Sequence, residues 1–367
     1  MSTSQKIPYY AKVTIFLVGI IAFVAILYVA QRIIVPIVFA TIIAILLNPI
    51  VNFFTRRKVH RIVAISLTLL LTFIVIAALG ALIVMQVSRF LESWPLLVEK
   101  FTGVINETST WASSNFDVSP EKIQGWLIEI KKDLINTNTT ELGQTLVSFG
   151  NGVVVVFLVP VYIFMILFYR PLLLDFVRKL FGPSNKSKVS EIVFQIKTVI
   201  QAYLVGLVIE TGIVATLNTT ALLILGIDYA ILLGIIGSLL NLIPYIGGIV
   251  AVGMPMMVAL ATKSTAWYAI YVLIFYYIIQ LIDNNYIVPK IVASKVKINA
   301  LFSIIAVFAG GALWGMSGMF LSIPLLAIVK LIFDHIEPLK PWGFLLGDTM
   351  PPIIKLKPVF KKLNRPR

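Results

Sequence analysis

Two carboxylates stand inside apolar sequence, where a charge is expensive. Glu210 lies in QAYLVGLVIETGIVATL, roughly ten residues into its run, and Asp283 lies in QLIDNNYIVPK, with Asn284, Asn285, Pro289 and Lys290 close behind. An ionised carboxyl deep in a membrane costs several kcal/mol unless it is protonated, paired or hydrated. Residues of this kind are candidate Na⁺ or proton sites, with Asn284 and Asn285 as further oxygen ligands. The plainer accounts are a neutral Glu210 bonded to a neighbouring helix, and an Asp283 near enough to a membrane face to pair with Lys290 or snorkel.

A second kind of chemistry comes from the backbone. The stretch NLIPYIGG, residues 241–248, interrupts one long apolar run, and GGALWGMSG, residues 310–318, interrupts another. Pro and Gly end helices inside a membrane, and the freed amides, carbonyls and dipole ends can coordinate a solute wherever no lipid reaches them. Asn241, Pro244, Tyr245, Gly247 and Gly248 at the first break are candidate path residues, as are Gly311, Gly315, Ser317 and Gly318 at the second. Either Tyr276 or Tyr277 could also line a path. The alternative for the glycines and Ser317 is close helix packing, and for the prolines a simple kink.

Other chemistries are excluded. With no Cys there is no disulfide or thiolate site, and two His rule against a histidine metal cluster. No phosphate loop, HExxH or GxSxG motif occurs, so neither an ATP-driven pump nor an enzyme is indicated and no cofactor is expected.

The elements that position these residues follow from composition. With 59% hydrophobic and 13% charged residues, the chain lies outside the range of soluble domains and must be an all-α polytopic membrane protein in contact with lipid. First spans are expected at about 13–30, 33–54, 62–87 and 147–169. The net charge of +14 sits in short loops beside these runs, as in TRRKVHR with Arg56, Arg57, Lys58 and Arg61. That pattern marks a cytoplasmic side and not a nucleic-acid partner. Residues 88–145 carry eight acidic and five basic residues, and RFLESWPLLVEKF and EKIQGWLIEIKKDLI show apolar residues at helical spacing. They read as an extracytoplasmic helical insert.

The broken runs, 229–261 and 299–333, are too long for one crossing. If each is a helical hairpin returning to its own side, the basic residues near Lys290, Lys295 and Lys297 and the tail after Phe333 both fall in the cytoplasm, with the N-terminus. Two span-plus-hairpin units of opposite topology result, the inverted-repeat sign of a secondary transporter. The expected organisation is three helices in 1–87, the insert in 88–145, a fourth helix and basic connector in 146–200, a transport core in 201–335 and a basic tail in 336–367.

NLIPYIGGIVAVGMP, DNNYIVPKIV and FAGGALWGMSGMFLSIPLLAIVK together resemble the autoinducer-2 exporter family of bacterial inner-membrane proteins, also known as PerM-like permeases. The match is densest over 201–335, and Asn299 and Ala300 stand where many members carry His-Pro. The resemblance implies ATP-independent transport by a homo-oligomer, of autoinducer-2 in some members and of Na⁺ or Li⁺ against H⁺ in others. Carried onto this chain, its motif positions are Pro244, Gly247, Gly248, Asp283, Pro289, Gly311, Gly315, Gly318 and Pro324. The expectation is therefore a secondary transporter of a small hydrophilic solute coupled to Na⁺ or H⁺. The competing readings are a Na⁺(Li⁺)/H⁺ antiporter and a non-transporting membrane scaffold.

Overall fold

The computed structural model describes residues 8–115, 153–182, 186–243, 247–292 and 297–348. Pro244, Tyr245, EKIQGWLIEIKKDLI and the tail beyond 348 lie outside the described residues. Those described form helices joined by short turns, with no strand among them beyond the isolated bridge Ile298–Gly347. Helix is what hydrocarbon demands, because each backbone amide must find its partner within its own segment. Seven of the described helices are long and apolar enough to cross a membrane.

Helix α1 (Tyr9–Val29) buries no side chain, and a break at Ala30 alone separates it from α2 (Gln31–Arg56). On α2 the stripe Ala40, Ala44, Leu47 and Val51 packs with Ala64 and Ile65 of α3 (Arg61–Asn115) and Ile163 and Leu167 of α4 (Val153–Leu180). The alanines let the helix backbones approach closely, which favours association where lipid tails remove the hydrophobic drive.

α3 (Arg61–Asn115) is one helix of 55 residues, about 80 Å long against a hydrocarbon layer of about 30 Å. The boundary expected at 87/88 therefore falls inside a helix. RFLESWPLLVEKF continues α3, and its Phe90, Trp94 and Leu97 lie against Met254, Met257 and Val258. Likewise α5 (Lys186–Ile224) runs unbroken through the boundary expected at 200/201. No Gly or Pro interrupts the chain there, so a change in surface composition does not end the helix.

Both interrupted runs fold back. α6 (Ala230–Asn241) and α7 (Gly247–Thr262) form the first hairpin. Lys263, just past α7, returns to the turn before α6, its Nζ 3.4 Å from the position a Cβ on Gly226 would take. α8 (Trp267–Ile282) follows and widens into a π-helical stretch, Asp283–Val292. α9 (Ala300–His335) is the second hairpin. Its arms part at Trp314 (φ −134°, ψ 18°) and at Gly315, whose φ of 60° favours glycine. Ser322 Oγ donates to Ala306 O at 2.8 Å across the two arms. In a straight helix those residues would stand about 24 Å apart. A 3₁₀ turn (Glu337–Leu339) and α10 (Lys340–Leu346) close the described chain, and Asn299 N donates to Leu346 O at 2.9 Å.

Candidate functional site

Three elements bring polar groups to one cleft of about 790 Å³. α5 contributes Tyr203, Leu207 and Glu210, whose spacing of four and three residues places them on one helical face. α8 and its π-helical extension contribute Leu273, Tyr276, Tyr277, Gln280, Asp283 and Asn284, again one stripe. The first hairpin adds Asn241 and Leu242 at the end of α6 and Gly248 and Val252 of α7.

Helical rise sets their depth. Ile224, Ala230 and Trp267 end or begin their helices on one side of the bundle, where Leu222, Ile227, Ala230, Ala261 and Ala269 share a buried cluster. Counting from these ends, Asn241 lies about 17 Å in, Glu210 about 21 Å and Asp283 about 24 Å. Against a layer about 30 Å thick, Asn241 sits near the middle and the two acids two-thirds to four-fifths of the way across.

The carboxylates are secluded from solvent. Glu210 is 6% exposed and Asp283 1%. Asn241 Nδ2 donates to Asp283 Oδ2 at 2.9 Å, so the tip of the first hairpin is fastened to α8 by a bond to a carboxylate. The other oxygen, Asp283 Oδ1, is buried without a hydrogen-bond partner among the described residues, as is the hydroxyl of Tyr276. Unpaired buried oxygens are uncommon, and each calls for a ligand, a proton or a water. Gln280 Nε2 donates to Asn284 Oδ1 at 3.3 Å, and a Cβ on Gly248 would sit 2.6 Å from Gln280 Oε1. Glycine at 248 therefore leaves room for that amide. At the other end the lining reaches Lys297, Ser303 and Asp348 beside the base of the second hairpin.

These groups are hard oxygen donors: three carboxyls (Glu210, Asp283 and, at the far end, Asp348), three amides and phenolic hydroxyls. Such a set suits a proton or an alkali cation better than a transition metal. Among the described residues no group of three or more His, Cys, Asp or Glu is placed to hold a metal ion. Glu210 and Asp283 are the two buried acids of this cleft, and Asp348 is an exposed third at its far end.

The remaining sequence candidates lie elsewhere. Gly247 is buried at the start of α7, where a Cβ would collide with Leu240 O. Asn285 is exposed and donates to Leu281 O at 2.8 Å. Gly311, Gly315, Ser317 and Gly318 are absent from the lining of the cleft. Gly318 meets the backbone of Gly310 across the second hairpin, Gly311 faces Met319, and the neighbouring Trp314 Nε1 donates to Leu27 O at 3.1 Å. Close packing thus describes Gly310, Gly311 and Gly318, whereas a Cβ on Gly315 would meet nothing within 4 Å and only its φ of 60° favours glycine. Tyr203, Gln280, Lys297, Ser303 and Asp348 were not singled out from sequence. The stripe spacing of Tyr203 and Gln280 with the two acids was the available signal.

Comparison with known proteins agrees with this architecture. The chain is 25% identical to YueF of Bacillus subtilis strain 168, a protein named for transport, over 82% of this chain and 83% of YueF. It is 22% identical to YhhT of Escherichia coli K12, also named for transport, over 96% of this chain and 98% of YhhT. The AI-2 transport protein TqsA of Escherichia coli K12 is 24% identical over 87% of this chain and 90% of its own length. The sequence profile described as "AI-2E family transporter" matches residues 17–337, so this multi-pass membrane protein belongs to the AI-2E transporter family.

Proposed function

We propose that this chain is a secondary transporter of the bacterial inner membrane in which Glu210 and Asp283 exchange Na⁺ or H⁺ as a small hydrophilic solute crosses. The observation that carries the reading is the cleft itself. Two buried acids at similar depth line one cavity, and one of them keeps an oxygen without a partner among the described residues. A secluded carboxylate without a fixed cation is poised to bind and release one, which coupling requires. The π-helical stretch beginning at Asp283 fits the same role, since such distortions are frequent at functional sites.

The orientation we assign puts the basic loop holding Arg56, Arg57, Lys58 and Arg61 in the cytoplasm, with both termini. Lys297 and Asp348 would then mark a cytoplasmic mouth, and α5 with the first hairpin and α8 with the second would be the opposed halves of an inverted repeat. Autoinducer-2, named in one relative, is the organic solute to try first; assembly as a homo-oligomer belongs to the same reading.

The test is flux in proteoliposomes of the full chain. Internal pH is followed while Na⁺ or Li⁺ gradients are imposed, and efflux is followed with autoinducer-2 inside. A cation-dependent pH change that disappears in Glu210→Gln and in Asp283→Asn supports exchange at these acids. An unchanged response in both variants refutes it. Gly248→Leu, which would crowd Gln280, should block transport; a scaffold would be indifferent to it.

A further inference from the structure

A second cleft lies where α2 ends, α3 begins, α4 ends and α5 begins, and it is separate from the carboxylate site. Two adjoining cavities of about 540 and 430 Å³ share Asn48, Leu167, Arg170, Leu174 and Arg178 as lining. Arg61 lines the first and Lys197 the second. The one carboxylate in their walls, Asp175, is taken by Arg178 at 3.2 Å. Arg61, Arg170 and Lys197 have no carboxylate within 4.0 Å among the described residues. Three uncompensated cations thus face a space between helices.

The cleft also holds an unanswered donor. Arg170 Nη1 donates to Asn48 Oδ1 at 3.1 Å, which turns the Asn48 amide so that Nδ2 is left without a partner among the described residues. Asn48 is 4% exposed and lines both cavities, so the amide faces the cleft from a buried position. Arg61 gives one N–H to Leu167 O at 2.6 Å, and the remaining arginine and amide donors along these adjoining cavities suit the oxygens of a phosphate. The second cavity continues along an apolar wall of Ile45, Leu173 and Phe194. Leu173 and Phe194 are exposed on the outside of the bundle.

We propose that this cleft holds the phosphate headgroup of an anionic phospholipid, with one acyl chain lying along Ile45, Leu173 and Phe194. A free phosphate would use the same donors but leave the apolar wall unfilled. The cations stand at the end of the spans on the basic-loop side, the position at which interhelical basic pockets take lipid headgroups.

Native mass spectrometry of the detergent-purified full chain tests this. Phosphatidylglycerol is titrated against phosphatidylethanolamine, with and without millimolar inorganic phosphate. Phosphatidylglycerol should bind in preference, and Lys197→Gln should weaken it about fivefold. Lys197 makes no hydrogen bond among the described residues, so its replacement spares the fold. Arg170→Gln removes a bond to Asn48, and Arg170→Lys serves as the charge-keeping partner that should bind more tightly than Arg170→Gln. Lys340→Gln, outside the cleft, should change nothing. Equal binding of the two lipids, an unchanged affinity in Lys197→Gln, or displacement by inorganic phosphate would each overturn the proposal, the last by revealing a free-anion site.

Discussion

The fold-back of α9 can be tested directly because the chain contains no cysteine, so any introduced pair is the only pair. The perturbation is Ala306→Cys with Ser322→Cys. Ser322 Oγ lies 2.8 Å from Ala306 O although sixteen residues separate them. A continuous helix would hold the two about 24 Å apart, whereas a disulfide needs Cα atoms within about 7 Å. The two arrangements differ by more than threefold in distance, so mild fluctuation cannot bridge them. Met316 and Met319 lie between the two positions, and chemical cleavage after methionine divides the protein there. After oxidation in the membrane, the fragments bearing 306 and 322 should stay joined until reductant is added. Each single-cysteine variant should release them. Separation of the fragments in the oxidised double variant, with the protein still folded, would refute the hairpin.

The remaining predictions concern packing and the site. Gly318→Ala places a Cβ onto the Gly310 backbone and should cost about 1–3 kcal/mol in thermal unfolding, while Gly80→Ala, with open space around it, should be silent or slightly stabilising. Gly234→Ala meets the Thr219 backbone, with N at 2.7 Å and Cα at 2.9 Å, and should lower Tm in the same assay by loosening α6 from α5. Asn241→Leu removes the donor to Asp283 and should weaken cation-dependent flux at least tenfold, since a bond to a charged group is worth about 1.5–3 kcal/mol; flux equal to that of the parent would remove the hairpin tip from the mechanism. The Glu337 carboxyl is held below the usual carboxylate range by its hydrogen bond to Lys340 at 2.7 Å and by that ammonium's charge. A lowered folded value contributes stability above the ordinary carboxylate range and loses it as pH falls. Lys340→Gln should therefore melt slightly below the parent at pH 7 and with it at about pH 3.

Much of this was legible in the sequence for a physical reason. Apolar runs must be helices in lipid, and Asn241, Glu210 and Asp283 stand out because polar atoms there need partners. The fold-backs at 241–248 and 310–318 were legible as length in excess of one crossing. What escaped was continuity and distance. Nothing at 87/88 or 200/201 stops a helix, so α3 and α5 run through composition changes that look like boundaries. Lys297, Ser303 and Asp348 reach the cleft only because the second hairpin packs against α5, a relation with no local signature. Gly310 and Gly318 could be read as site or as packing, and a backbone contact between arms is visible only once the turn at Gly315 is known.

The length of α3 constrains how the cleft can open. At one end Ala64 and Ile65 are embedded against α2 and α4. At the other, Phe90 and Leu97 are embedded beside the first hairpin, and Tyr229 Oη donates to Ser93 Oγ at 2.6 Å. About 38 Å of uninterrupted helix separates Ile65 from Phe90, and hydrogen-bonded helix resists both stretch and compression along its axis. α3 is in effect a strut, fixing the height of the hairpin's base above the α2–α4 pair. A piston-like slide of that hairpin through the membrane would have to break one anchorage. Swinging of its tip about a stationary base would not, so if the proposed transport moves this hairpin, the contact that must yield is the bond between Asn241 and Asp283.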